Sequence, residues 1–109
     1  MSESEKKFLE YQLKIEQAKK NNMPIDNYVI QQIKLLEKAH DEFLEKAVKK
    51  GYDLTLPRIG EIKIGQILSM KQLAKKINLP TEKYDSQLKE IRIRIFGKEN
   101  YKNFFENNK

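Results

Sequence analysis

With one histidine, no cysteine and 22 lysine or arginine residues among 109, the chemistry open to this chain is chiefly that of charge. Without cysteine there is no disulfide framework, thiolate metal site or thiol nucleophile. With His40 alone, a multi-histidine metal centre is excluded. His40 falls on an apolar helix stripe, and Asp41 and Glu42 beside it point to other faces, the setting of a seam residue bonded to a neighbour. No glycine-rich phosphate loop, G-x-S-x-G, H-E-x-x-H or acidic calcium loop is present. The two glycines of PRIGEIKIG lack the Lys-Ser/Thr ending of a Walker loop. The residues therefore read as a small non-enzymatic binding protein with no cofactor and no metal.

The charge is unevenly spread. Residues 1–51 hold ten Lys and nine acids, a net of +1, whereas residues 52–109 hold 12 Lys or Arg and seven acids, a net of +5. All three arginines, Arg58, Arg92 and Arg94, lie in that second half. Such a half suits a polyanionic partner, because neutralising phosphates releases their counterions. An AT-rich genome, which enriches Lys, Asn and Ile on any surface, explains the same numbers. A second binding feature is aromatic: Tyr101, Phe104 and Phe105 cluster at one end, where they can anchor a protein interface or fill the core.

The elements that must position these groups are mostly helical. Phe8, Tyr11, Ile15 and Ala18 recur at helical spacing, and after the breaker NNMP a longer stripe runs through Val29, Ile33, Leu36, His40, Phe43 and Ala47. Gly51 follows as a helix cap. Residues 1–51 thus predict an antiparallel helical hairpin, whose heptad-like seam serves either a private core contact or a second copy. Residues 52–65, YDLTLPRIGEIKIG, alternate at Leu54 and Leu56 and again at Ile62 and Ile64 around a P-R-I-G turn, which predicts a short β-hairpin or an extended connector. Residues 66–109 return to helices. Ser69 and Gln72 have capping-box spacing, and Leu68 and Leu73 that of a hydrophobic staple, so a helix is expected to start at Ser69. Asn78 is placed to end it, and Thr81 to cap the next. Tyr84, Leu88, Ile91 and Ile95 continue that helix, although IRIRIF also alternates as a strand would; the stripe and Gly97 favour helix. Tyr101, Phe104 and Phe105 fit a short terminal helix closing the core. The expected class is mainly α: hairpin, β-hairpin or connector, and a compact helical C-terminal part, as one cooperative domain.

The stretch SMKQLAKKINLPTEKYDSQL resembles the helix-turn-helix motif of bacterial DNA-binding proteins. Leu73, Ala74 and Ile77 fall where that motif places apolar and small residues on its first helix, Asn78 where a turn glycine is usual, and Leu79 after the turn. Gln87 occupies a position the motif keeps apolar, and Leu88 restores the pattern if the turn is one residue longer. The strand-like residues before the stretch and IRIRIFGKENYKNFF after it suit a winged-helix variant. The resemblance covers about a quarter of the chain, or half with a wing. It implies duplex DNA as partner, with the second helix in the major groove. Gln87 would then pair with adenine, Lys83 or Lys89 with guanine or phosphate, and Ser86 would share the exposed face with the acids Glu82 and Asp85. Lys71, Lys75, Lys76, Arg92 and Arg94 would hold the phosphate backbone.

The competing class is a helical protein-interaction module, an adaptor, inhibitor or assembly component, with Tyr101, Phe104 and Phe105 as interface and self-association through the hairpin. Size and composition permit an origin in a phage or mobile element. No apolar run approaches a membrane span or signal-peptide core, so no membrane partner and a cytoplasmic location are expected.

Overall fold

In a computed structural model, described here for residues 2–54 and 57–106, four long helices follow one another. They are α1 (Glu3–Lys20), α2 (Asp26–Lys49), α3 (Pro57–Lys76) and α4 (Glu82–Phe96), and a short α5 (Lys98–Tyr101) runs into a π-helical turn, Lys102–Glu106. No strand occurs among the described residues. Each helix packs on its neighbour in sequence, α1 on α2, α2 on α3 and α3 on α4, and α1 does not pack on α3. The result is a flat array, 49 × 39 × 16 Å, with a radius of gyration of 16.4 Å. A compact chain of about this length has a radius near 13 Å. One apolar cluster nevertheless runs through all four helices: Ile15, Val29, Ile33, Ile67, Met70, Ala74, Ile77, Tyr84, Leu88 and Ile91.

Local signals explain most boundaries. The Ser2 hydroxyl accepts from the Glu5 amide at 3.2 Å and caps α1, whose first turn carries Glu3 and Glu5 and whose last carries Lys19 and Lys20. Both placements complement the helix dipole. Three of the helices then stop in the same way. Asn22 (φ 54°), Gly51 (φ 79°) and Asn78 (φ 60°) are left-handed. The residue after each donates its amide back to an alanine carbonyl: Met23 to Ala18 at 2.8 Å, Tyr52 to Ala47 at 3.0 Å, Leu79 to Ala74 at 2.9 Å. This Schellman arrangement satisfies carbonyls that would otherwise be orphaned, and Asn or Gly adopts its left-handed residue at least cost. All three alanines are buried. Asn78 therefore ends α3 as its sequence predicts.

The connector does not survive as a β-hairpin. Residues 57–65 are the first half of α3, and Leu56, one of the alternating residues, lies outside the described set. The alternation of Ile62 and Ile64 is a short sample of a longer helical period. Ile59, Ile67, Met70, Ala74 and Ile77 are buried at helical spacing, whereas Ile62 is exposed. Pro57 sits at the first helical position, where its missing N–H is one the helix leaves unpaired anyway. Gly60 is a contact glycine, not a turn glycine: a Cβ there would collide with Ile95 Cδ1 and stand 2.9 Å from Ile95 Cγ1, so its absence lets α3 and α4 approach.

The helix start expected at Ser69 is likewise overturned. Ser69 lies in the interior of α3, its hydroxyl donating to the Gly65 carbonyl at 3.0 Å, as mid-helix serines commonly do. Leu68 is exposed and forms no staple. Once Pro57 has opened a helix, nothing between it and Ser69 breaks one. Thr81 precedes α4 but caps no backbone amide; its hydroxyl donates to Asp85 Oδ2 at 3.4 Å. IRIRIF completes α4, with Ile91 buried and Gly97 (φ 86°) following, so the stripe prevails over the alternation. The terminal aromatics do not close the core. Phe104 is exposed and Tyr101 and Phe105 are half-buried; Phe104 and Phe105 lie against Phe96 at ring separations of 6.5 and 5.9 Å, and Tyr101 stacks on Phe105 at 5.2 Å.

In the first hairpin the register is set by a polar group. Gln32 is fully buried, and its amide donates to the Phe8 carbonyl (3.3 Å) and Gln12 Oε1 (3.1 Å) on α1. The seam around it is buried at Val29, Ile33 and Ala47, with Leu36, His40 and Phe43 half-buried.

The two helical glycines of α3 separate packing from propensity. Gly65 has no atom within 4 Å of a Cβ position, so Gly65→Ala should stabilise by about 0.5–1 kcal/mol, the ordinary helix preference for alanine. Gly60→Ala gains the same preference but displaces Ile95, an overpacking cost of about 1–3 kcal/mol. Urea unfolding should therefore move the two midpoints in opposite directions.

Candidate nucleic-acid interface

Side chains of α4 divide around the buried line Tyr84, Leu88 and Ile91. Lys83, Gln87, Glu90 and Arg94 lie along the side that faces α2. There Gln87 is half-buried and borders a polar crevice with Glu37, His40, Asp41 and Lys83, and a second one with His40, Lys63, Glu90 and Arg94. Glu82, Ser86 and Lys89 are exposed on the outward face. Arg92 and Lys89 lean toward the C-terminal aromatics. The Arg92 guanidinium sits 4.7 Å from the centre of the Phe105 ring, and Lys89 Nζ lies 6.0 Å from that of Tyr101. The residues predicted to read bases together are thus split, with Gln87 turned toward α2 and Ser86 toward solvent.

Most of the predicted cations already have an acidic neighbour. Lys71 pairs with Asp85 at 2.6 Å, Lys83 with Glu37 at 3.3 Å, Lys89 with Glu106 at 3.4 Å and Arg94 with Glu90 at 3.2 Å. These pairs are largely solvent-exposed, so each contributes little and can exchange for another anion. The Lys71 hydrogen bond, then its charge, holds the Asp85 carboxyl below its usual range, with Thr81 and Lys75 adding to the effect and desolvation opposing it. That contribution to stability is present above pH 3.8 and lost as pH falls through the lowered value.

Lys75 and Lys76 are different. Both are exposed in the last turn of α3, and neither has a carboxylate within ion-pair distance among the described residues. Lys76 instead meets Lys19, which arrives from the last turn of α1. Burial first, then the neighbouring Lys19 ammonium, push the Lys76 ammonium below the usual lysine range. Neither charge nor motif marks Lys19 and Lys20 in the sequence. The signal that finds them is an internal repeat: residues 18–28 read AKKNNMPIDNY and residues 74–84 read AKKINLPTEKY. Both strings place the Schellman alanine, two lysines, the left-handed asparagine, a proline and an acid that opens the next helix.

His40 Nε2 is buried without a hydrogen-bond partner. Burial and then Lys63 lower its pKa, against the opposing pull of Asp41. No group of three or more metal-ligating side chains converges among the described residues. No described helix is long and apolar enough to cross a membrane. No family model, curated protein or solved structure matches the chain.

Because the folded chain prefers neutral His40, its folded pKa lies below the unfolded value of 6.5. The unfolded chain takes up the proton first, so the stability linked to this group is complete above pH 6.5 and declines as pH falls through the folded value. Chemical denaturation measured across that range should show the decline in the wild type, and His40→Gln should flatten it. The Asp85 contribution fades only at lower pH and is untouched by that substitution.

Proposed function

We propose that this protein binds duplex DNA through the end of α3, the Asn78 turn and the outward face of α4. The observation that carries the reading is the pair Lys75 and Lys76, exposed beside the N-terminus of α4 and with no carboxylate within ion-pair distance among the described residues. Supporting it, the helix-turn-helix resemblance falls on two helices joined by a left-handed turn, with the small Ala74 buried. In this reading Lys75 and Lys76 take phosphates. Lys71, Lys83, Lys89 and Arg94 exchange exposed carboxylates for phosphates when the duplex arrives, and Arg92 follows the backbone from its place on Phe105. Ser86 and Lys89 face the bases, and Gln87 contributes only if it leaves the α2 crevice. Mixed polarity on α4 favours backbone holding over base reading, because phosphate contacts carry affinity and register but little sequence information.

A second reading has its own support. Phe96 and Phe104 are 42% and 60% exposed and stand edge to face at 6.5 Å. Beside Tyr101 and Phe105 they offer a surface of the kind that anchors a protein partner. An apolar groove of about 340 Å³ between α1 and α2, lined by Phe8, Leu9, Leu35 and Leu36, suits the same class.

Anisotropy titration of a short mixed-sequence duplex separates them. The DNA reading predicts binding at low salt whose log affinity falls linearly with log salt. A Lys75→Gln, Lys76→Gln variant should show a slope shallower by about 0.9 for each phosphate it no longer neutralises. Absence of binding at low salt sinks this reading. A protein-module role would instead leave DNA unbound while Phe104→Ser alters self-association in light scattering.

A further inference from the structure

The convergence of Lys19 and Lys76 has no counterpart in what the fold itself requires. A lysine near a helix C-terminus complements the dipole, and that explains one such residue on each of α1 and α3. It does not explain why the same turn, with its two lysines, recurs on two helices that both pack on α2, so that four ammonium groups gather at one end. α1 and α3 do not themselves pack together, so the long side chains alone close the gap between them. Like charges gathered in this way repel each other even in water. Other cations here, such as Lys71 and Lys83, are met by carboxylates, yet no carboxylate lies within ion-pair distance of Lys19, Lys20, Lys75 or Lys76 among the described residues. The repeated turns place these four lysines at one end of the array, because both turns follow helices that run the same way on either side of α2.

We infer that Lys19 and Lys76, flanked by Lys20 and Lys75, form a clamp for the phosphodiester backbone, so that the first hairpin holds the same duplex as the helix-turn-helix segment. This rests on the DNA reading above and extends it to α1. A phosphate oxygen between the two ammonium groups accepts a hydrogen bond from each and offsets their repulsion. Lys75 and Lys76 close α3 only a short turn before Glu82 opens α4, so the clamp is continuous with the helix that faces the groove. The backbone is thereby held at both turns, fixing how the flat array lies on the duplex.

The test uses the full chain and four paired variants, Lys75→Gln, Lys76→Gln among them, in the same duplex titration from roughly 50 to 200 mM salt. Lys19→Gln, Lys20→Gln should make the salt slope shallower by about 0.9 for each phosphate set free, about 1.8 if both go, and weaken binding several-fold. Lys19→Arg, Lys20→Arg should retain the wild-type slope. Lys6→Gln, Lys7→Gln removes the same net charge at the opposite end of α1 and should leave the slope unchanged. Circular dichroism melts confirm that each variant is folded, and the arginine variant secures the comparison if the glutamine variant melts early. If Lys19→Gln, Lys20→Gln matches wild type while Lys75→Gln, Lys76→Gln weakens binding, the clamp is wrong and the DNA reading stands. Equal weakening by Lys6→Gln, Lys7→Gln reduces the effect to net charge and overturns the clamp. No duplex binding by the wild type at low salt removes both.

Discussion

Three helices in this chain end when a left-handed residue swings the next amide back onto the carbonyl of a buried alanine, and the remaining architecture depends on that reversal. The helices pack only on their sequence neighbours, and what reaches further is an exposed side-chain pair such as Lys83–Glu37, so little corrects a turn that points the wrong way. The bond from Met23 to Ala18 turns α1 into α2, the one from Tyr52 to Ala47 ends α2, and the one from Leu79 to Ala74 turns α3 into α4. Asparagine fills two of the three left-handed sites because its short polar side chain tolerates that region better than other L residues. The buried alanines leave room for the following helix to come close. A flat array with a continuous core follows, as does the meeting of the lysines that sit one and two residues after Ala18 and Ala74.

That meeting is where structure bears on function. On α4 the cations are balanced by acids on neighbouring turns and helices, which keeps the surface near neutral. At the turn end the lysines gather unopposed, and the Lys19 ammonium burdens that of Lys76. Net charge alone would have put the basic surface in the C-terminal half; geometry divides it between both halves. Exposed ion pairs are weak and exchange readily, so the paired cations on α4 add to a phosphate surface without defining it.

Much of the helical content is legible in the sequence because its stripes are long. The Val29–Ala47 stripe and the Tyr84–Ile95 stripe each span several turns, enough for the helical period to outweigh local alternation. The reading fails where the sample is short. Ile62 and Ile64 alternate over four residues, and only the continuation through Ile67, Met70 and Ala74 shows the helical period. Ser69 and Gln72 match a capping box by spacing alone, yet a cap needs a chain that is not already helical, and Pro57 opens α3 twelve residues earlier. On the candidate site, Lys75 and Lys76 stand out through their motif, whereas Lys19 and Lys20 are hidden in a half with balanced charge. The repeated AKK-x-N string is there to be read, but what it brings together depends on a parallel placement of α1 and α3 that no local pattern encodes.

The central claim is that the unopposed lysines of the two turns, rather than the aromatic end, form the binding surface. Amide chemical-shift mapping of the labelled full chain with a short duplex tests it most directly. Shifts concentrated at residues 18–23 and 74–94, with Phe96 and Phe104 undisturbed, are the predicted result. Shifts confined to Phe96, Tyr101, Phe104 and Phe105, or none at any duplex concentration, would contradict it.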